Sequence, residues 1–246
     1  MNKKFWDLIF PRKCVGCEKI LSPSEQVFCR ECESKWILST ERICKECGYM
    51  QYKCRCAPKD VKKGYIDTYR HLSSFHNATA KKFVYTLKHR KNSEAFSYAA
   101  NSLFSLICDE EGLDFENCVI CYCPRSKKAI RKYGFDQAQI LAKKLSKISK
   151  IPVVNALVHN GSHTEQKLLD AEQRKILSQT TYSLMPNVLP KIKGKTAILV
   201  DDIITTGSTS VACAKLLKIA GAKKVFSLSV AYTQKIYKGG VKKLVF

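Results

Sequence analysis

Residues 197–209 read Ala-Ile-Leu-Val-Asp-Asp-Ile-Ile-Thr-Thr-Gly-Ser-Thr. Four apolar residues, Ala197 to Val200, suit a strand buried on both faces of a parallel sheet. Asp201 and Asp202 follow at its C-terminal end, where open α/β sheets bind their ligands. Thr205, Thr206, Gly207, Ser208 and Thr209 then form a short hydroxyl-rich loop that opens a helix. Such a loop offers free backbone N–H groups, hydroxyl donors and the positive end of a helix dipole, a combination suited to one phosphate. Carboxylates do not hold a phosphate directly, so the Asp pair serves different groups, either ribose hydroxyls or Mg²⁺ beside a pyrophosphate. A phosphate seat next to a sugar-diol seat describes a 5-phosphoribosyl group. For an Asp-Asp pair alone a capped turn would be the better reading; the whole run in register favours the ligand site. A Walker loop is excluded, because the chain has no Gly-x4-Gly-Lys-Ser/Thr.

Around this run the pattern alternates. Ala80, Phe83, Val84 and Leu87 have helical spacing within about 76–89, and Phe96, Ala99, Ala100, Leu103, Phe104 and Ile107 predict a second helix. Cys118–Cys123 reads as a short buried strand, Ala138, Leu141, Ala142 and Leu145 as a helix, and Pro152–Val158 as a strand. A helix over 208–220 stops at Gly221, and Val225–Ala231 is a further strand. Alternation of this kind predicts an α/β fold with a parallel sheet flanked by helices.

The chain has 246 residues, of which 45% are hydrophobic, a globular composition with ample length for a core. No stretch has the apolar length of a membrane span. The apolar piece Phe5–Phe10 is interrupted by Asp7 and is too short for a signal-peptide core, so a cytoplasmic location is expected. Lys and Arg outnumber Asp and Glu by 43 to 21, a formal net charge of +22. A field of that sign attracts nucleic acid or phosphorylated small molecules. The lysines are spread along the chain, which is equally compatible with a solvated basic surface.

Eight of the thirteen cysteines fall within residues 14–56, as Cys14-x2-Cys17, Cys29-x2-Cys32, Cys44-x2-Cys47 and Cys54-x-Cys56. Two such turns close a tetrahedral four-thiolate Zn²⁺ site, so eight cysteines make two structural sites. Sequential pairing is the simplest; crossed pairing stays open. A thioredoxin-like redox pair would be a single Cys-x2-Cys beside a βαβ unit. Gly16 and Gly48 stand where tight knuckle turns call for positive φ. Cys108, Cys118, Cys121, Cys123 and Cys213 read as small core residues.

The 197–209 run resembles the 5-phosphoribosyl pyrophosphate (PRPP) motif of type I phosphoribosyltransferases. With the preceding Cys pairs, Leu87-Lys88, Cys123-Pro124-Arg125-Ser126, Tyr133-Gly134-Phe135-Asp136-Gln137-Ala138 and Thr164-x-Gln166-x2-Leu169-x4-Arg174, the order from Cys14 to about Ala231 resembles the ComF family of competence-associated proteins. That resemblance implies a double zinc-ribbon module at 1–60, a phosphoribosyltransferase-like domain at 61–232 and a C-terminal tail at 233–246. It implies a pyrophosphate-binding loop at Arg125 and Ser126, and a mobile loop carrying Gln166 and Arg174 that closes over PRPP. It also implies a setting in DNA uptake, with single-stranded DNA and DNA-uptake proteins as partners. The family commonly has Arg where this chain has Tyr133, and purine-type relatives have an acid where this chain has Thr205. No general base for a purine nitrogen is therefore evident.

Two functions remain open at this point. One is a PRPP-binding protein of DNA uptake; the other is an active phosphoribosyltransferase with an unidentified base or amine as acceptor. In either, Asp201 and Asp202 hold the ribose hydroxyls with Mg²⁺ alongside, and in the enzyme they would stabilise an oxocarbenium-like C1.

Overall fold

The computed structural model describes residues 11–44, 47–56, 64–75, 77–160 and 181–233. Its elements in chain order are α1 (Arg30–Glu41), β1 (Thr68–Ser74), α2 (Ala78–His89), α3 (Ser93–Cys108), β2 (Cys118–Tyr122), α4 (Lys127–Tyr133), α5 (Gln137–Ser149), β3 (Leu157–His159), β4 (Tyr182–Leu184), α6 (Leu189–Ile192), β5 (Thr196–Ile204), α7 (Ser208–Ile219) and β6 (Lys224–Tyr232). Among the described residues no helix is long and apolar enough to cross a membrane.

The main sheet has the order β1-β6-β5-β2, and every pairing in it is parallel. Side chains of a strand alternate between faces, and β5 divides accordingly. Ile198 and Val200 pack with Phe83, Leu103 and Leu141 of α2, α3 and α5. Ala197 and Leu199 pack on the other face with Cys213 and Leu217 of α7 and with Tyr182 of β4. The run is apolar at consecutive positions because both faces are covered.

Helix ends follow local chemistry. Asn77, Asn92, Ser126 and Asp136 each accept a backbone N–H in the first turn of α2, α3, α4 and α5. Gly134 ends α4 at φ 78°, and Gly221 follows α7 at φ 88°.

The N-terminal module shares the core of the sheet domain. Phe28 and Trp36 interlock with Phe83 and Tyr98, with ring centroids 5.2 Å apart for Phe28–Phe83 and 4.8 Å for Trp36–Phe83. Further along, the second thiol cluster rests on β1: His71 Nε2 lies 2.8 Å from Gln51 Oε1, and Arg70 donates to the Tyr52 carbonyl at 3.1 Å.

Two sequence expectations, the strand after Pro152 and the burial of Cys108, are corrected here. The strand expected over 152–158 is a single bridge, Val153 to Ile120, followed by β3, which pairs antiparallel with β4. Lys127 and Lys128 open α4, which Ser126 caps. Cys108 is exposed, whereas Cys118, Cys121, Cys123 and Cys213 are buried.

Candidate functional site

The eight N-terminal thiols gather as Cys14, Cys17, Cys29 and Cys32, then Cys44, Cys47, Cys54 and Cys56. The grouping is sequential. Within each cluster all sulfurs lie within 4.8 Å of one another, and Cys17–Cys29 and Cys47–Cys54 are 3.6 Å apart. A tetrahedral Zn²⁺ with ligands at ~2.3 Å has sulfur–sulfur edges of about 3.8 Å. The clusters therefore have the dimensions of four-thiolate zinc sites, and four thiolates leave no open coordination position. Backbone N–H groups of Gly16 and Cys29 point at Cys14 Sγ, both at 3.3 Å, and Cys56 N–H points at Cys54 Sγ at 3.3 Å. Such bonds favour the thiolate form that a metal requires.

The two knuckle glycines differ in their reasons. Gly48 has φ 73°, as expected from the turn. Gly16 does not take positive φ; a Cβ there would stand 2.6 Å from Cys32 Sγ. Its requirement is space.

In the main sheet, β5 runs on through Ile204, so Asp201 and Asp202 lie inside the strand and not at its end. Both are buried. Asp201 Oδ1 accepts the Asp202 N–H at 2.8 Å, and Asp202 Oδ1 accepts the Ile203 N–H at 2.8 Å. Burial, reinforced by the Asp202 charge, pushes the Asp201 carboxyl well above the usual carboxylate range, and the Cys123 thiol bonds to it. Asp202 Oδ2 is covered and has no donor. Leaving such an oxygen unsatisfied costs about 1–3 kcal/mol, a cost that is tolerated where a ligand or cation supplies the missing partner.

Beyond Ile204 the chain turns through Thr205 and Thr206 to Gly207, whose φ of 90° lets α7 begin at Ser208. Thr205, Ser208 and Thr209 are exposed. The Thr206 and Ser208 hydroxyls are 2.7 Å apart, and Thr206 Oγ1 also receives the Ser208 N–H at 3.3 Å. The loop thus sets hydroxyls and helix-terminal N–H groups side by side in the open.

Arg125 and Ser126 are already engaged. The Arg125 guanidinium donates to the carbonyls of Lys88 (2.8 Å) and Phe135 (3.2 Å) and covers the Tyr133 ring at 4.7 Å. Its charge still couples to Asp202. Ser126 caps α4 at 3.2 Å. Gln166 and Arg174 lie outside the described residues.

Sequence reasoning missed two contributors. Asp136 ties the Arg125 N–H to the start of α5, a role that an N-cap pattern before α5 could have signalled. Tyr182 reaches the Thr209 hydroxyl from β4, a long-range contact with no local signature.

Comparison with known proteins gives two domain families: Phosphoribosyl transferase domain over residues 129–243, and Double zinc ribbon domain over residues 5–60. Competence protein F of Haemophilus influenzae (strain ATCC 51907 / DSM 11121 / KW20 / Rd) is 36% identical over 95 residues, 37% of this chain and 40% of that protein. A ribose-phosphate pyrophosphokinase of Nostoc sp. (strain PCC 7120 / SAG 25.82 / UTEX 2576) is 56% identical over 41 residues, 17% of this chain and 12% of its own. Among solved structures, adenine phosphoribosyltransferase from Thermoanaerobacter pseudethanolicus aligns with a TM-score of 0.37 and 18% identity, covering 58% of this chain and 82% of that one. The matched regions thus span less than half the length of either curated relative. The chain matches a double zinc ribbon over 5–60 and a phosphoribosyl transferase domain over 129–243, and is similar to Competence protein F over the 95 matched residues.

Proposed function

We propose that the chain binds PRPP with Mg²⁺ at the Asp201–Thr209 run and serves DNA uptake in natural transformation, handling single-stranded DNA in the cytoplasm. The observation that carries the first part is the exposed hydroxyl loop at the N-terminus of α7, with Gly207 at φ 90°. Backbone N–H groups and hydroxyls from Thr206 to Thr209, with Thr205 beside them, receive the 5-phosphate. Asp201 and Asp202 take the ribose 2- and 3-hydroxyls, and the Asp202 oxygen without a donor gains one. Arg125 and Ser126 face the pyrophosphate end, and the segment with Gln166 and Arg174 excludes water. Bound Mg²⁺ neutralises pyrophosphate charge beside the Asp pair.

The DNA-uptake setting is supported by the similarity to Competence protein F and by the net charge of +22. A backbone-bound single strand releases counterions, so its affinity falls steeply with salt. Docking to DNA-uptake proteins belongs to the same reading.

An active phosphoribosyltransferase is the second reading, favoured by two carboxylates next to the ribose seat. There the C1–O bond to pyrophosphate breaks with its electron pair on oxygen, and a lone pair of the acceptor forms the new bond to C1. Asp201 and Asp202 stabilise the cationic C1 in between. Thr205 supplies no base, so the acceptor has to be nucleophilic without help from that position.

Calorimetric titration of Mg²⁺-PRPP into wild type and an Asp201→Ala/Asp202→Ala variant, with single-stranded DNA in parallel, tests the proposal. Saturable PRPP binding that the variant loses supports the site. Absence of PRPP binding, with salt-sensitive DNA binding intact, rejects it and leaves a fold reused for nucleic acid.

A further inference from the structure

An open cavity of about 550 Å³ lies at the end of β2, and no residue of the 201–209 run lines it. Its volume matches that of small-ligand sites. The floor is a fixed polar chain: Gln139 Nε2 donates to the Tyr122 hydroxyl at 2.9 Å, which donates to Asn155 Oδ1 at 2.9 Å. The phenol uses its single proton on Asn155 and is held by Gln139. One amide therefore keeps an unspent acceptor, Gln139 Oε1, and the other keeps an unspent donor, Asn155 Nδ2. Turning both amides over reverses the chain but still leaves one donor and one acceptor. Adjacent donor and acceptor groups are what the edge of a nucleobase presents. Leu157, Val158 and Ile140 give the cavity apolar walls.

The rim is cationic. Lys91, Lys127 and Lys143 line it, are exposed, and form no ion pair among the described residues. Asp136, the one carboxylate in the lining, is buried and spends its oxygens on the backbone N–H groups of Arg125 and Gln139. Stretches 88–91 and 125–132 together hold eight lysines and arginines and no carboxylate. The bond from Arg125 to the Lys88 carbonyl at 2.8 Å and the contact of His89 with Tyr133, centroids 4.7 Å apart, bring both stretches onto one face.

From this arrangement we infer that the cavity binds a nucleotide unit, its base against the Gln139–Asn155 amides and its phosphate at the lysine rim. The cavity shares Arg125 with the pyrophosphate end of the proposed PRPP seat but contains no residue of the 201–209 run, so the inference does not require PRPP binding. A free nucleotide and one nucleotide of a single strand share this chemistry, and the experiment distinguishes them.

The test uses the full, zinc-loaded chain. AMP, GMP, CMP and UMP, a short oligothymidylate and inorganic phosphate are each titrated by calorimetry into wild type and variants. Nucleotide affinity falls about tenfold or more in Gln139→Leu/Asn155→Leu and in Lys127→Ala/Lys143→Ala. It is unchanged in Asp201→Asn/Asp202→Asn, whatever happens to PRPP. Tyr122→Phe keeps the packing but frees both amides, and weakens binding while thermal unfolding stays near wild type. If the oligothymidylate shows the same dependence on Gln139 and Asn155, the unit belongs to a strand; if only mononucleotides do, the ligand is a free nucleotide. Inorganic phosphate binding as tightly as the nucleotides overturns the inference. So does nucleotide binding that ignores Gln139 and Asn155 or disappears with the Asp pair, and so does no binding at millimolar concentration.

Discussion

The backbone N–H of Arg125 donates to Asp136 Oδ2 at 2.7 Å, while Asp136 Oδ1 accepts the Gln139 N–H at 3.2 Å. One carboxylate thus fixes the turn after β2 and starts α5. Asp136→Ala removes a cap and strands a half-buried N–H, so a loss of about 1–3 kcal/mol is expected. Burial raises the Asp136 pKa against its hydrogen bonds. Asp136→Asn drops the buried charge but keeps only one of the two acceptor oxygens, so it should be less destabilised than Asp136→Ala and still below wild type. Urea unfolding of both variants checks the order.

Asp201 pits ligand binding against folding. Its folded pKa lies above the unfolded value, raised first by burial and then by Asp202. Its contribution to stability is therefore present below pH ~4 and lost as pH rises from there. Asp201→Asn should melt higher than wild type at pH 7.5, by ~2–4 °C per kcal/mol relieved, with the gap closing near pH 4. The same variant should lose PRPP affinity. A lower melting temperature at pH 7.5 would contradict the burial argument.

Zinc in the first cluster supports more than its own loop. Trp36 is 2% exposed and packs on Phe83, so chelation or Cys14→Ser should expose it, shift its emission to the red and lower the stability of the whole sheet domain. Metal analysis should give two zinc ions per chain before chelation. Gly16→Ala, with a Cβ at 2.6 Å from Cys32 Sγ, should act in the same direction.

His71 makes acid stability a local matter. Burial, then the charge of Arg70, holds its imidazole down to about 3. The unfolded chain takes up that proton near pH 6.5 and the folded chain does not. Stability is therefore lost as pH falls from ~6.5 toward 3, by up to about 1.4 kcal/mol per pH unit. Melting temperatures between pH 5.5 and 7.5, with zinc content checked at each pH, should show a shallower slope in His71→Gln.

What could be read from the sequence was what local pattern determines. The β5 run, the ends of α7 and the faces of α2, α3 and α5 each carry their burial in their own spacing. Strand β1 was silent, because Thr-Tyr-Arg-His-Leu-Ser-Ser is buried under the second thiol cluster, and its polar groups bond to Gln51 and Tyr52 across the module. The Cys pairs were legible, but the reason for Gly16 was not: it lies in Cys32 and Thr79, distant in sequence. At the phosphate loop the residue types were legible, whereas the support from Tyr182 and the capture of Arg125 by carbonyls depend on chain folding over long separations.

The interlocked rings of Phe28, Trp36, Phe83 and Tyr98 have a consequence for how the chain is made. The cysteines of the first cluster leave the ribosome before the helices that carry Phe83 and Tyr98, so metal capture precedes closure of the core that depends on it. A nascent chain starved of zinc would present Phe83 and Tyr98 with no cover. Removing the N-terminal part would leave the same bare surface, and the protein should melt in a single transition rather than in two pieces.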